Sequence, residues 1–285
     1  MTSLARPERG ALLTFNETRP LNTFFQMVFP GFLVPFVLSL ALTALTLRLR
    51  WEGAWRIAVI WLTSYFWLRG LPSFPPRETM DWLWLIGIAT LAAGVMPIVT
   101  RARWLLLSGL LAMSLGILAW PVIRHNATTL VFMELAVLIA IGSVLIHRLI
   151  SGRCALFNAL PMAIISAGYG VVAALGGSLL VGLLSGALAS ALGGFALHEL
   201  VSQRKEPLFF IRAALLASTW LLCLIFIGRV YAEIPAGPLS LLLAALVMDR
   251  LLPTRNRLQA VLISGIPTTA AIAWLVLAQD PSSYY

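Results

Sequence analysis

Apolar runs of roughly 15 to 22 residues recur along the whole chain, at 30–47, 54–68, 82–99, 104–123, 128–146, 154–175, 178–197, 208–227, 234–248 and 258–278. With some tilt and with flanking arginines reaching back to the surface, each can cross about 30 Å of hydrocarbon as an α-helix. The helix is the open structure that satisfies its own backbone hydrogen bonds in lipid. The pattern therefore predicts an all-α, polytopic integral membrane protein of about ten transmembrane helices joined by short loops. Composition agrees, since 60% of the 285 residues are hydrophobic and 11% are charged, against about 45–50% and about 25% in soluble domains. It argues against an ordinary soluble enzyme, a disulfide scaffold and a disordered chain.

Three parts follow: an N-terminal interfacial segment (1–29), a transmembrane helical domain (30–278) and a short C-terminal tail (279–285). The first carries Arg6, Glu8, Arg9, Glu17 and Arg19, which leave no early apolar core ahead of a small-residue cleavage site, so it is expected to stay in the mature chain. Its second half, Leu21 to Phe29, is aromatic and closes on Pro30, as suits a lead-in lying at the membrane surface.

The net charge of +9 does not point to nucleic acid, because the bases sit in short loops between apolar runs, where they orient the chain and meet anionic head groups. With ten spans, one face holds Arg48, Arg50 and Arg56, then Arg101 and Arg103, Arg148 and Arg153, Arg204, Lys205 and Arg212, and finally Arg250, Arg255 and Arg257. The other face holds Arg6, Arg9, Arg19, Arg69, Arg77, Arg124 and Arg229, so thirteen bases stand against seven. The richer face is expected to be cytoplasmic, which puts both termini on the non-cytoplasmic side. The leucine-, alanine- and arginine-dominated composition suggests a bacterial cytoplasmic (inner) membrane. Counting the stretch from Cys154 to Leu197 as one span plus a re-entrant piece would change the tally to 12 against eight. Seven tryptophans, Trp51, Trp55, Trp67, Trp82, Trp84, Trp104 and Trp120, fall near span ends, where an amphipathic ring sits best.

Small residues form the strongest pattern: Ser166, Gly170, Ala174, Ser178, Gly182, Gly186, Ser190 and Gly194, each four positions after the last. Small side chains at this spacing let two helix backbones approach closely in lipid, and Gly176-Gly177 would turn the chain between two spans. Ser178, Gly182, Gly186, Ser190 and Gly194 are the expected packing face of the seventh span, against another helix of this chain, a second copy or another membrane subunit.

One of the 11 carboxylates lies clearly inside a span, Glu134. It sits on the order of 10 Å below its helix end at about 1.5 Å per residue, where an ionised carboxylate needs a partner or water. Arg69, Arg124 and Arg229 reach the same leaflet from other span ends and are the candidate partners. The functional alternative is a carboxylate that stays protonated or exchanges protons during transport.

No metal site and no cofactor are expected. His125, His147 and His198 lie near the ends of different spans without HExxH spacing, so they do not form a ligand set. Gly182-Leu183-Leu184-Ser185-Gly186 is one residue too long for the GxSG of intramembrane serine proteases and lacks a histidine on a later span to act as base. Asn16-Glu17-Thr18 and Asn126-Ala127-Thr128 are sequons, but no glycan is expected. In helix count and length the chain is similar to the ten-helix drug and metabolite transporters. It differs from them in lacking a recognisable tandem repeat and in a charge count that puts the termini outside. Two functions are compatible: a non-catalytic subunit of a membrane assembly, favoured because spans, anchors and a packing face are supplied in quantity, and a small-solute or lipid transporter.

Overall fold

The computed structural model describes residues 33–49, 55–95, 100–126, 128–150, 159–202, 207–252 and 257–278. Among them are ten α-helices and no strands: α1 (Val34–Leu49), α2 (Trp55–Arg69), α3 (Leu83–Val95), α4 (Thr100–Asn126), α5 (Thr129–Ile150), α6 (Ala159–Leu175), α7 (Leu179–Ser202), α8 (Pro207–Tyr231), α9 (Ala236–Leu251) and α10 (Arg257–Ala278). Each coincides with one apolar run of the sequence. Five of them, α4, α5, α7, α8 and α10, contain stretches long and apolar enough to cross a membrane. The apolar stretches of α2, α3, α6 and α9 are shorter. The expected N-terminal interfacial segment, the C-terminal tail, Cys154 and the first sequon lie outside the described residues.

Helix boundaries follow local chemistry. Arg101 and Arg103, expected in a loop, belong to the first turn of α4; arginine is a good helix former. The break between α2 and α3 falls at Gly70-Leu71-Pro72, with Gly70 at φ +81°. Between α6 and α7, Gly177 takes φ +93°, and the Gly177 N–H bonds the Ala174 carbonyl while the Ser178 N–H bonds the Ala173 carbonyl. That pair of bonds is a Schellman closure, which needs a left-handed residue at this position. The described residues 159–197 therefore hold two helices joined by a tight turn and not one long helix.

Two helices form the centre. Burial reaches 83% of residues in the apolar stretch of α8 and 78% in that of α7, against 22% in α5 and 28% in α10. α8 touches α2, α3, α4, α5, α6, α7 and α9, while α7 packs on α6, α1, α2 and α8. Trp61 of α2 stacks on Trp220 of α8 with ring centroids 4.5 Å apart and planes 17° apart, and both rings are fully buried. Offset stacking of this kind adds about 0.5–1.5 kcal/mol beyond area burial. These two tryptophans are core residues, whereas Trp67 and Trp120, near helix ends, are more than half exposed.

Candidate functional site

The small-residue stripe is used inside the chain. A Cβ on Gly182 would lie 2.8 Å from the Gly170 carbonyl oxygen, and one on Gly170 would lie 3.0 Å from the Gly182 carbonyl oxygen, so α6 and α7 cross at backbone contact. On the next turn the Ser185 hydroxyl donates to the Ser166 carbonyl at 2.7 Å. This is the serine whose setting resembled a protease motif, and its hydroxyl is committed to packing. Gly186 is buried with its N–H beside Gly170, Ser178 closes the turn, and Ser190 is half-buried. Gly194 faces a different helix: a side chain there would occupy the space of Ser39 on α1, whose hydroxyl donates to the Ala191 carbonyl at 2.8 Å.

Close approach also occurs at isolated glycines that no periodicity marks. A Cβ on Gly142 would overlap Leu111 and Leu222, and one on Gly168 would overlap Thr268. These positions bind α5 to α4 and α8, and α6 to α10.

Charge gathers at one end of the bundle, where α2, α4 and α8 finish and α5 and α9 begin. Glu134 stands in the second turn of α5, and Arg229 in the last turn of α8 donates through Nε to Glu134 Oε1 at 2.8 Å. Arg229 Nη1 donates to the Ile234 carbonyl at 3.1 Å, so the guanidinium ties the turn between α8 and α9 to α5. That turn is set by Glu233 at φ +53°, a left-handed conformation uncommon for a residue with a side chain. It drives the fully buried Ile234 against Gly176 and Gly228, where any side chain would collide with it. Tyr231 adds a hydrogen bond to the Leu118 carbonyl at 2.7 Å. Both members of the ion pair keep about a quarter of their side-chain surface exposed, 25% for Arg229 and 23% for Glu134.

The other two candidate arginines do not reach Glu134. Arg69 pairs with Glu78 and lies 3.8 Å from Asp81, within the loop that follows its own helix. Asp81 is nearly buried; its Oδ2 accepts the Ser73 hydroxyl at 2.7 Å and the N–H groups of Arg77 and Glu78 at 3.2 and 3.3 Å. Burial works against its ionisation, but these hydrogen bonds and the nearby Arg69 outweigh it and hold the carboxyl below the ordinary aspartate range. Arg124 is exposed and has no carboxylate partner among the described residues.

Among the described residues no group of three or more His, Cys, Asp or Glu could hold a metal ion, and Cys223 is a buried free thiol. No protein-family model, curated protein or solved structure matches the chain.

Proposed function

We propose that this chain is a non-catalytic, multi-spanning subunit of a membrane assembly, its ten helices all crossing a bacterial cytoplasmic membrane and both termini on the non-cytoplasmic side. The observation that carries this reading is the use made of Glu134. Its carboxylate is held by Arg229, and the same guanidinium holds the Ile234 carbonyl, so the intramembrane acid serves as a joint between α5, α8 and the turn into α9. The stripe of small residues is likewise spent on internal crossings, and the centre is filled by α7, α8 and the Trp61–Trp220 stack. Partners, whether other membrane subunits or a second copy, would then meet the peripheral faces of α5 and α10.

The test is solubilisation in mild detergent followed by affinity isolation. Stoichiometric co-purifying membrane chains, lost after mutation of exposed α5 residues such as Met133 and Val137, support the reading. A lone chain that catalyses uptake in liposomes would overturn it.

A small-solute or lipid transporter, with Glu134 as proton-coupled or substrate-binding residue, is the second reading. The observation in its favour is that the ion pair is not sealed: a quarter of each side chain remains exposed, so the carboxylate is reachable. Uptake abolished by Glu134→Gln with the fold intact would establish it.

A further inference from the structure

On the outward face of α4 a groove of about 500 Å³ runs between Trp82, Met113, Gly116, Ile117 and Trp120, within the roughly 300–1,000 Å³ of ordinary ligand sites. Its floor is Gly116, and its rims are Met113 and Trp120, 64% and 61% exposed. Gly116 differs from the glycines of the helix crossings: a Cβ there would meet no atom within 4 Å. The missing side chain leaves a notch that no other helix among the described residues fills.

The groove has a polar end. Ile117, Trp120 and Arg124 share a helical face by their spacing of three and four residues, so Arg124 stands one turn beyond Trp120, where α4 leaves the apolar layer. Of the arginines gathered at this end, Arg69 and Arg229 are ion-paired, whereas Arg124 and the loop residue Arg77 are exposed without a carboxylate partner among the described residues, and of these two Arg124 stands on the helix that forms the groove. From Arg124 to Met113 the helix descends about 16 Å at 1.5 Å per residue, which is one leaflet of a hydrocarbon core about 30 Å thick. A cation at head-group level above an apolar trench one leaflet deep has the dimensions and charge pattern of a single phospholipid.

We propose that this groove is a specific lipid site, holding one acyl chain of an anionic glycerophospholipid against Gly116 and Trp120 while Arg124 binds its phosphate. The apolar lining selects a lipid over a free phosphate, and Arg124 selects an anionic head group over a zwitterionic one. This inference rests on the membrane-embedded fold and is independent of whether the chain is a subunit or a transporter.

The experiment is native mass spectrometry of the purified full chain, delipidated and then offered equimolar phosphatidylglycerol and phosphatidylcholine. The wild-type protein is expected to retain one phosphatidylglycerol with about a fivefold preference, the equivalent of roughly 1 kcal/mol for one cation at an anionic surface. Arg124→Gln should bring the two lipids to parity, and Gly116→Leu should reduce retention of both, since its side chain enters the notch. Millimolar inorganic phosphate should not displace the lipid. Equal retention of the two lipids by wild type, an unchanged preference in Arg124→Gln, displacement by phosphate, or full retention by a folded Gly116→Leu would each overturn the proposal. Arg124 is exposed, so its variant keeps the test available should Gly116→Leu fail to fold.

Discussion

Glu134 and Arg229 lie 95 residues apart in sequence, yet Oε1 of one and Nε of the other are 2.8 Å apart across the contact between α5 and α8. Losing one member strands the other in a site about three-quarters buried. A sealed pair broken this way costs about 3–5 kcal/mol, and partial exposure lowers the expectation to about 1–2 kcal/mol. Glu134→Gln and Arg229→Gln should each lower the unfolding midpoint in detergent by roughly 2–8 °C, at about 2–4 °C per kcal/mol for a chain of this size. The double variant should lose less than the sum of the two, and strictly additive losses would show that the pair is not coupled.

Glycine substitutions should separate crossings from open faces. Gly182→Leu pushes a side chain into the Gly170 carbonyl, and overpacking of this kind costs about 1–3 kcal/mol or more. Gly109→Leu, on α4, adds a side chain where a Cβ meets nothing within 4 Å, and helix propensity favours leucine over glycine by several tenths of a kcal/mol. Thermal unfolding of the two variants side by side should show a large loss for the first and none for the second. Equal stability would mean that α6 and α7 do not cross at Gly182.

Ser185→Ala removes the one interhelical hydrogen bond that the α6–α7 crossing draws from this serine. Such bonds in membranes average about 0.6 kcal/mol, with a maximum near 1.7. Ser64 bonds the Ile60 carbonyl of its own helix at 2.9 Å, so Ser64→Ala should change stability little, alanine being the better helix former. A loss confined to Ser185→Ala in unfolding assays identifies the interhelical bond as the relevant term.

How much of this was legible in the sequence can be judged from particular residues. The ten apolar runs mark ten helices because length and apolarity are local properties. The partner of Glu134 is not local: three arginines stand in the last turns of helices at the same end of the bundle, and only tertiary packing distinguishes Arg229 from Arg69, which the short 70–82 loop returns to its own acids. The stripe reads as one face, but four residues turn a helix by about 400°, so each step drifts about 40°. Between Gly182 and Gly194 the drift is large enough to pass from α6 to α1. Gly116 and Gly142 look alike in sequence, each a lone glycine in a leucine-rich run. One lines an open groove and the other is wedged between α4 and α8, a difference that exists only once the helices are assembled.

Acid should loosen the loop between α2 and α3. Asp81 is held below the ordinary aspartate range in the fold, so the unfolded chain takes up a proton more readily than the folded one. Its contribution is fully present above the unfolded pKa of about 3.9 and is lost as pH falls through the lower, folded value. Amide hydrogen exchange at Arg77 and Glu78, whose N–H groups bond Asp81, should quicken in relative terms over that acid range, and Asp81→Asn should abolish the pH dependence. An Asp81→Asn chain with the same acid profile would place the effect elsewhere.

Topology gives the last expectation. The turn at Gly176-Gly177 makes α6 and α7 separate helices, and where both cross the membrane the loops alternate as in the ten-span count. Thirteen bases then share the face expected to be cytoplasmic, with seven on the other. If all ten helices span, an even number of crossings returns the chain to the side on which it began. Alkaline phosphatase fused after Tyr285 should therefore be active and a fluorescent protein fused there dark, and a cysteine introduced near Met1 should react with an impermeant maleimide in intact spheroplasts. Opposite results at the two ends would mean an odd number of crossings, with the short helices α2, α3, α6 and α9 the first to re-examine. Two cytoplasmic termini would keep the ten crossings and reverse the orientation, so that the face with thirteen bases would lie outside and the Arg124 groove would open to the inner leaflet.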